Sequence, residues 1–134
     1  MSGAKPDGTT GGKLAPCPAS PNCVCSDTSS GSHAIQPLAI TGDPQAAWQA
    51  LIAYLEAQAG FTIKTREPDY LHVEARTRVF RFVDDVEFQL RSSDGLIAMR
   101  SASRIGYSDL GANRRRLDAI RQVLADAGVA KPGG

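Results

Sequence analysis

A block of period-two alternation between Phe61 and Arg104, enclosed by two stripes of helical period, constrains this chain most. Phe61, Ile63 and Thr65 alternate with Thr62, Lys64 and Arg66, and Leu71, Val73 and Ala75 alternate with His72, Glu74 and Arg76. Alternation of this kind sends successive side chains to opposite faces of a strand. Glu67-Pro68-Asp69 reads as the turn between the first two strands, with proline at a favoured position. A third strand lies within Val79 to Leu90, although Thr77 to Val83 also fits an irregular crossover anchored by Phe80 and Phe82. Asp94-Gly95 is a hairpin signal, and Leu96 to Arg104 forms the fourth strand.

The flanks carry helix punctuation. Asp43 fits an N-cap and Pro44 the first helical position, where a missing N–H costs nothing. Ala47, Trp48, Leu51, Ile52, Leu55 and Ala59 make one apolar stripe, with Gly60 as the expected stop. A last helix begins near Asp109, capped by Ser108 or Asp109. Leu110, Leu117, Ile120, Leu124 and Ala127 line one side of it, and Gly128 ends it. The order α-β-β-β-β-α predicts an α+β fold: a four-stranded antiparallel meander with two helices on one face, preceded by an irregular N-terminal arm. Residues 1–42 hold 6 Gly, 5 Pro and 6 Ser, a composition poor in groups whose burial offsets ordering. The expected organisation is a disordered tail at 1–15, a Pro/Cys-containing arm at 16–42, a single domain at 43–128 and a tail at 129–134. Val24, Ile35, Leu38 and Ile40 would lay the arm on the domain.

Fifteen Lys+Arg against 14 Asp+Glu argue against a strongly basic domain built to hold nucleic acid. The cations are mostly arginine, and nine arginines fall between Arg76 and Arg116. Parity places Lys64, His72, Glu74, Arg76, Asp85, Glu87, Arg100 and Arg104 on the strand face away from the core. A two-residue turn at Asp94-Gly95 would set Asp85 opposite Arg104, whereas a four-residue loop would set Glu87 opposite Arg100. Two descriptions of this face compete: a solvated layer of charge pairs, and a concave surface that aims arginines at an anionic ligand. Asp84 falls on the core face with Ser101 and Ser103, so it requires a partner, for which Arg114, Arg115 and Arg116 are in reach. Asp84, Asp85, Glu87, Ser101, Ser103 and Asp109 therefore read as a structural polar network. The strand-to-helix passage at 104–116 is a candidate anion site. Its donors would come from Arg100, Arg104, Tyr107, Ser108, Asn113, Arg114 and Arg115, with Asp109 competing for the anion position.

Three functions follow as expectations. The first is a noncatalytic binding or accessory module for a small anionic ligand, a lipid headgroup or a protein partner. The second is a small enzyme that uses Asp85 or Glu87 with Arg100, Arg104 and Tyr107, although no Ser-His-Asp order accompanies them. The third is a redox or metal role for Cys17, Cys23 and Cys25. Their C-x5-C-x-C spacing leaves open a Cys17–Cys23 disulfide, reduced thiols, or a zinc set completed by His33, the last being irregular for zinc. No cofactor or metal is implied. No apolar run approaches the roughly 20 residues of a membrane span, and no apolar core of a signal peptide is present. The chain as written reads as cytoplasmic, or as periplasmic or membrane-associated if a signal has been removed.

The segments C-P-A-S-P-N-C-V at 17–24, F-R-F-V-D-D-V-E-F at 80–88 and R-S-A-S-R-I-G-Y-S-D-L-G-A-N-R-R-R at 100–116, with Trp48 and Leu51, resemble an uncharacterised bacterial and plastid family, domain of unknown function 1499. The resemblance spans roughly residues 16–126. It implies a small standalone or membrane-linked domain of unassigned activity and supplies no catalytic residue. Cys25 departs from the family pattern, which leads to the expectation of serine there and makes the third cysteine incidental.

Overall fold

The computed structural model describes residues 9–10, 12–18, 22–27, 31–76, 82–104 and 110–133. In chain order they form β1 (Thr9–Thr10), β2 (Lys13–Leu14), β3 (Cys23–Cys25), β4 (Leu38–Ala39), α1 (Pro44–Ala57), β5 (Phe61–Glu67), β6 (Tyr70–Arg76), β7 (Val83–Arg91), β8 (Leu96–Ser103) and α2 (Leu110–Asp126). The class is α+β. The four strands from β5 to β8 run as an antiparallel meander, but the sheet has six strands, in the order β3-β8-β7-β6-β5, with β4 also paired to β8. The four-stranded expectation is corrected by the arm. β3 pairs with Arg100 to Ala102 and β4 with Leu96 and Ile97, so together they cover the outer edge of β8. An uncovered β8 would present a row of unpaired N–H and C=O groups. Val24 and Leu38 alternate onto the core side and are fully buried there, which gives two short strands enough burial to hold their places.

Helix α1 starts where its residues dictate. The Asp43 carboxylate accepts from the Ala46 N–H at 2.9 Å, and Pro44 follows at the first helical position. The helix closes earlier than Gly60, at Gln58, whose N–H returns to Leu55 O. Gly128 ends α2 in a left-handed conformation (φ 80°), with its N–H on Ala125 O. Ala127 lies beyond the helix and is exposed, so among the described side chains the apolar stripe of α2 is Leu117, Ile120 and Leu124, with the side chain of Leu110 outside them. The stripes of both helices share one core with Leu71, Val73, Val86, Phe88, Leu90, Ile97 and Met99. Phe82, proposed above as an anchor, is 38% exposed, and Phe80 lies outside the described residues.

The described residues nearest both termini are tied in. Lys13 and Leu14 pair with Thr10 and Thr9, and Leu14 is buried. At the other end Ala130 bridges Ile40, and the Lys131 N–H donates to Ala39 O. Among the described residues, no helix is long and apolar enough to cross a membrane.

Candidate functional site

Register decides which charges meet. Residues 92–95 form the β7–β8 loop, with Ser92–Asp94 in a 3-10 turn and Gly95 at φ 68°, a left-handed position that glycine adopts without steric cost. Arg91 therefore pairs with Leu96, and Glu87 lies opposite Arg100; of the two registers open to the sequence, the four-residue loop is the one formed. Across the sheet, His72, Glu87, Arg100 and Cys25 make one row, and Glu74, Asp85, Ala102 and Cys23 make the next. All eight share the face opposite the helices.

The centre of this face is neither a solvated charge layer nor an open surface, whereas Lys64, Arg76 and Arg104 at its margin are exposed. Glu87 is 0% exposed and Arg100 3%. β2 lies over β7 and β8, and Leu14 packs with Cys25, Tyr70 and Ala98. Covered charges require complete pairing, since an unpaired buried charge costs several kcal/mol. Glu87 accepts from the Tyr70 hydroxyl at 2.6 Å and from Arg100 Nη1 at 3.3 Å. Arg100 Nε donates 2.9 Å to Ala15 O, which fixes the arm's backbone to the sheet. Asp85 forms the second centre. Arg104 donates to it through Nε and Nη2, both at 2.8 Å, and its Oδ1 lies 2.8 Å from His72 Nε2. Glu74 holds Arg104 Nη2 from the outer side at 2.9 Å. Burial pushes the Asp85 carboxyl up, but the hydrogen bonds from Arg104 and His72 outweigh it and hold the pKa at about 2. The same pairing raises Arg104.

On the helix side, Asp84 meets Arg116 Nη2 at 2.8 Å. Asn113, fully buried at the start of α2, ties that end to β8 and to the arm: Ser101 Oγ donates to its Oδ1 at 2.6 Å, and its Nδ2 donates to Ser103 Oγ and Asn22 O. Arg116 Nη1 adds donors to Ser101 Oγ and Asn113 Oδ1. Arg114 reaches the opposite way, to the carbonyls of Ser32 and Ala34 in the arm, and Arg115 is exposed. Of the residues proposed for an anion site at 104–116, Arg104, Asn113 and Arg114 thus point to three different in-chain partners. Tyr107, Ser108 and Asp109 lie outside the described residues.

Cys17 and Cys23 are joined in a disulfide, and Cys25 is buried beside it. That pairing removes two of the thiolates a zinc set would need, and His33 Nδ1 instead lies 2.8 Å from Cys23 O. Where the clasped arm crosses the charged face, a cavity of about 460 Å³ opens. Its arm wall is Pro16, Cys17, Pro18, Asn22 and Cys23, and its floor is Asp85, Arg100, Ala102 and Ser103.

Sequence reasoning missed Asn22 and Tyr70 as members of this site. Tyr70 shares the parity of His72 and Glu74, a signal that could have placed it on the face. Nothing local to Asn22 announces that its side chain donates to Ser103 O, 81 residues away. No curated protein and no solved structure matches the chain. A family model matches residues 13–124, from β2 through the apolar stripe of α2, and therefore covers both walls of the cavity. The chain belongs to the family described as protein of unknown function (DUF1499).

Proposed function

We propose that this protein is a noncatalytic binding module that seats a small polar ligand in the cleft between the disulfide-clasped arm and the charged sheet face. The observation that carries this reading is the cavity itself. Its volume lies within the range of small-molecule sites, and its floor presents a carboxylate and a guanidinium held by in-chain partners. Preorganised groups of this kind recognise without having to be ordered on binding. The enzymatic alternative is weaker on the same geometry. A carboxyl held at about pH 2, as Asp85 is, carries little basicity at neutral pH, and Glu87 is committed to Tyr70 and Arg100.

The pairing also bears on ligand charge. An anion recruited to Arg100 or Arg104 would compete with Glu87, Glu74 and Asp85, which already accept from them. A ligand offering donors as well as acceptors fits the cleft better than the anion first expected. The disulfide favours an oxidising compartment, the periplasmic or membrane-associated alternative above.

Ala102 provides the test, because it stands on the cavity floor between Asp85 and Cys23. A thermal-shift screen of amino acids, sugars, nucleotides, inorganic phosphate and lipid headgroups would be run on the native protein and on Ala102→Phe, which fills the cavity. The reading predicts that a small polar compound raises the native Tm and that Ala102→Phe folds normally but loses the shift. A screen with no shift, or a shift that survives the substitution, overturns it.

A further inference from the structure

Cys25 lies outside the disulfide, is fully buried, and neighbours both of its cysteines. It and Cys23 are two residues apart on β3, on one face of the strand, and both are 0% exposed. Cys17, half-buried, packs against the small apolar cluster that contains Cys25. Cys25 Sγ lies 3.5 Å from Ala15 O, only two residues before Cys17 in the arm. The Asp27 N–H donates to the same sulfur at 3.3 Å, a contact that a thiolate formed there would keep.

We propose that Cys17, Cys23 and Cys25 form an intramolecular thiol–disulfide exchange site, in which Cys25 takes over Cys17 and releases Cys23. The Cys25 thiolate attacks Cys17 Sγ. The Cys17–Cys25 bond forms as the Cys17–Cys23 bond breaks, and Cys23 leaves with the electron pair. The proton given up by Cys25 ends on Cys23. One disulfide and one thiol are present before and after, so the step needs no external oxidant or reductant.

The exchange moves the arm. Equivalent side chains two residues apart on a strand are about 7 Å apart, so Cys17 must advance one pleat along β3. Ala15 O then leaves Arg100 Nε and Cys25 Sγ, and the wall carrying Pro16, Cys17 and Pro18 shifts across the cavity floor. Losing the carbonyl on a buried guanidinium opposes the move and keeps the Cys17–Cys23 form dominant. The third cysteine, read from sequence as incidental, thereby acquires a role, and that role stands whether or not the cleft takes a ligand.

The test equilibrates the native protein, Cys23→Ser and Cys25→Ser in a glutathione redox buffer and quenches each in acid. Thiols are labelled with one alkylating reagent and, after reduction, with a second, and the labels are located by fragment-ion mass spectrometry. Cys25→Ser is expected to hold Cys17–Cys23, and Cys23→Ser to close Cys17–Cys25. In the native protein most of the first label is expected on Cys25, with a minority of at least about 1% on Cys23, as for a state a few kcal/mol above the dominant one. Two thiols in folded Cys23→Ser, under conditions where Cys25→Ser closes its disulfide, overturn the proposal. Should Cys23→Ser fail to fold, the native protein decides: first label on Cys25 and none on Cys23 overturns it equally.

Discussion

Glu87 and Arg100 form a buried charge pair on the sheet face opposite the helices. Both are buried, and they pair with each other and with Tyr70 and Ala15 O. Deleting one partner of such a pair is costly because the survivor keeps its desolvation and loses its compensation. Arg100→Met should destabilise by about 3–5 kcal/mol in urea unfolding. Replacing Glu87 and Arg100 together by apolar residues should cost less than that. Asp85 behaves differently because it titrates. Its folded pKa of about 2 lies below its ordinary value of 3.8, so its contribution is full above that ordinary value and is lost as pH falls through the folded one. The shift corresponds to on the order of 2 kcal/mol at neutral pH. Stability measured against pH should therefore fall between about pH 4 and pH 2 in the native protein and fall less in Asp85→Asn. Part of the slope will remain, because Asp27 is also held below its ordinary range: burial raises it, and Arg91 and the Leu14 N–H more than offset that.

Among the elements, the start of α2 and the arm's short strands show where sequence reasoning reaches and where it stops. Period-two alternation placed His72, Glu74, Asp85, Glu87, Arg100 and Arg104 on one face because parity is a local property. It also set Asp84, Ser101 and Ser103 on the helix side. What parity could not supply is the cover. β3 and β4 are three and two residues long, too short for a period, and their stability comes from β8, some 60 to 80 residues onward. The face was consequently legible as charged but not as buried. The same holds for Asn113, whose partners Asn22, Ser101 and Ser103 come from the arm and β8. Asn113→Ala should cost about 1–3 kcal/mol, because it leaves the Asn22 carbonyl and the Ser101 hydroxyl without this partner in a buried setting. Guanidinium-chloride unfolding monitored by the single tryptophan, Trp48 on α1, would read that loss.

Over the whole molecule, the sheet has two unlike covers. The helices bury an apolar core on one face, and on the other a thin arm buries a charged layer and leaves a cleft beside its own disulfide. Reducing the disulfide should lower stability by about 2–3 kcal/mol on loop entropy alone. If the clasp holds the arm over the charge pair, the two must also be energetically coupled. The most direct measurement is a double-mutant cycle between the Cys17→Ser/Cys23→Ser pair and Arg100→Met, read by urea unfolding at pH 7. With the clasp gone, the arm no longer secures Ala15 O on Arg100, so Arg100→Met should cost less than in the native background, with a coupling above about 0.5 kcal/mol. Costs that add to within about 0.5 kcal/mol would mean that the clasp and the charged layer are independent, and would contradict the account.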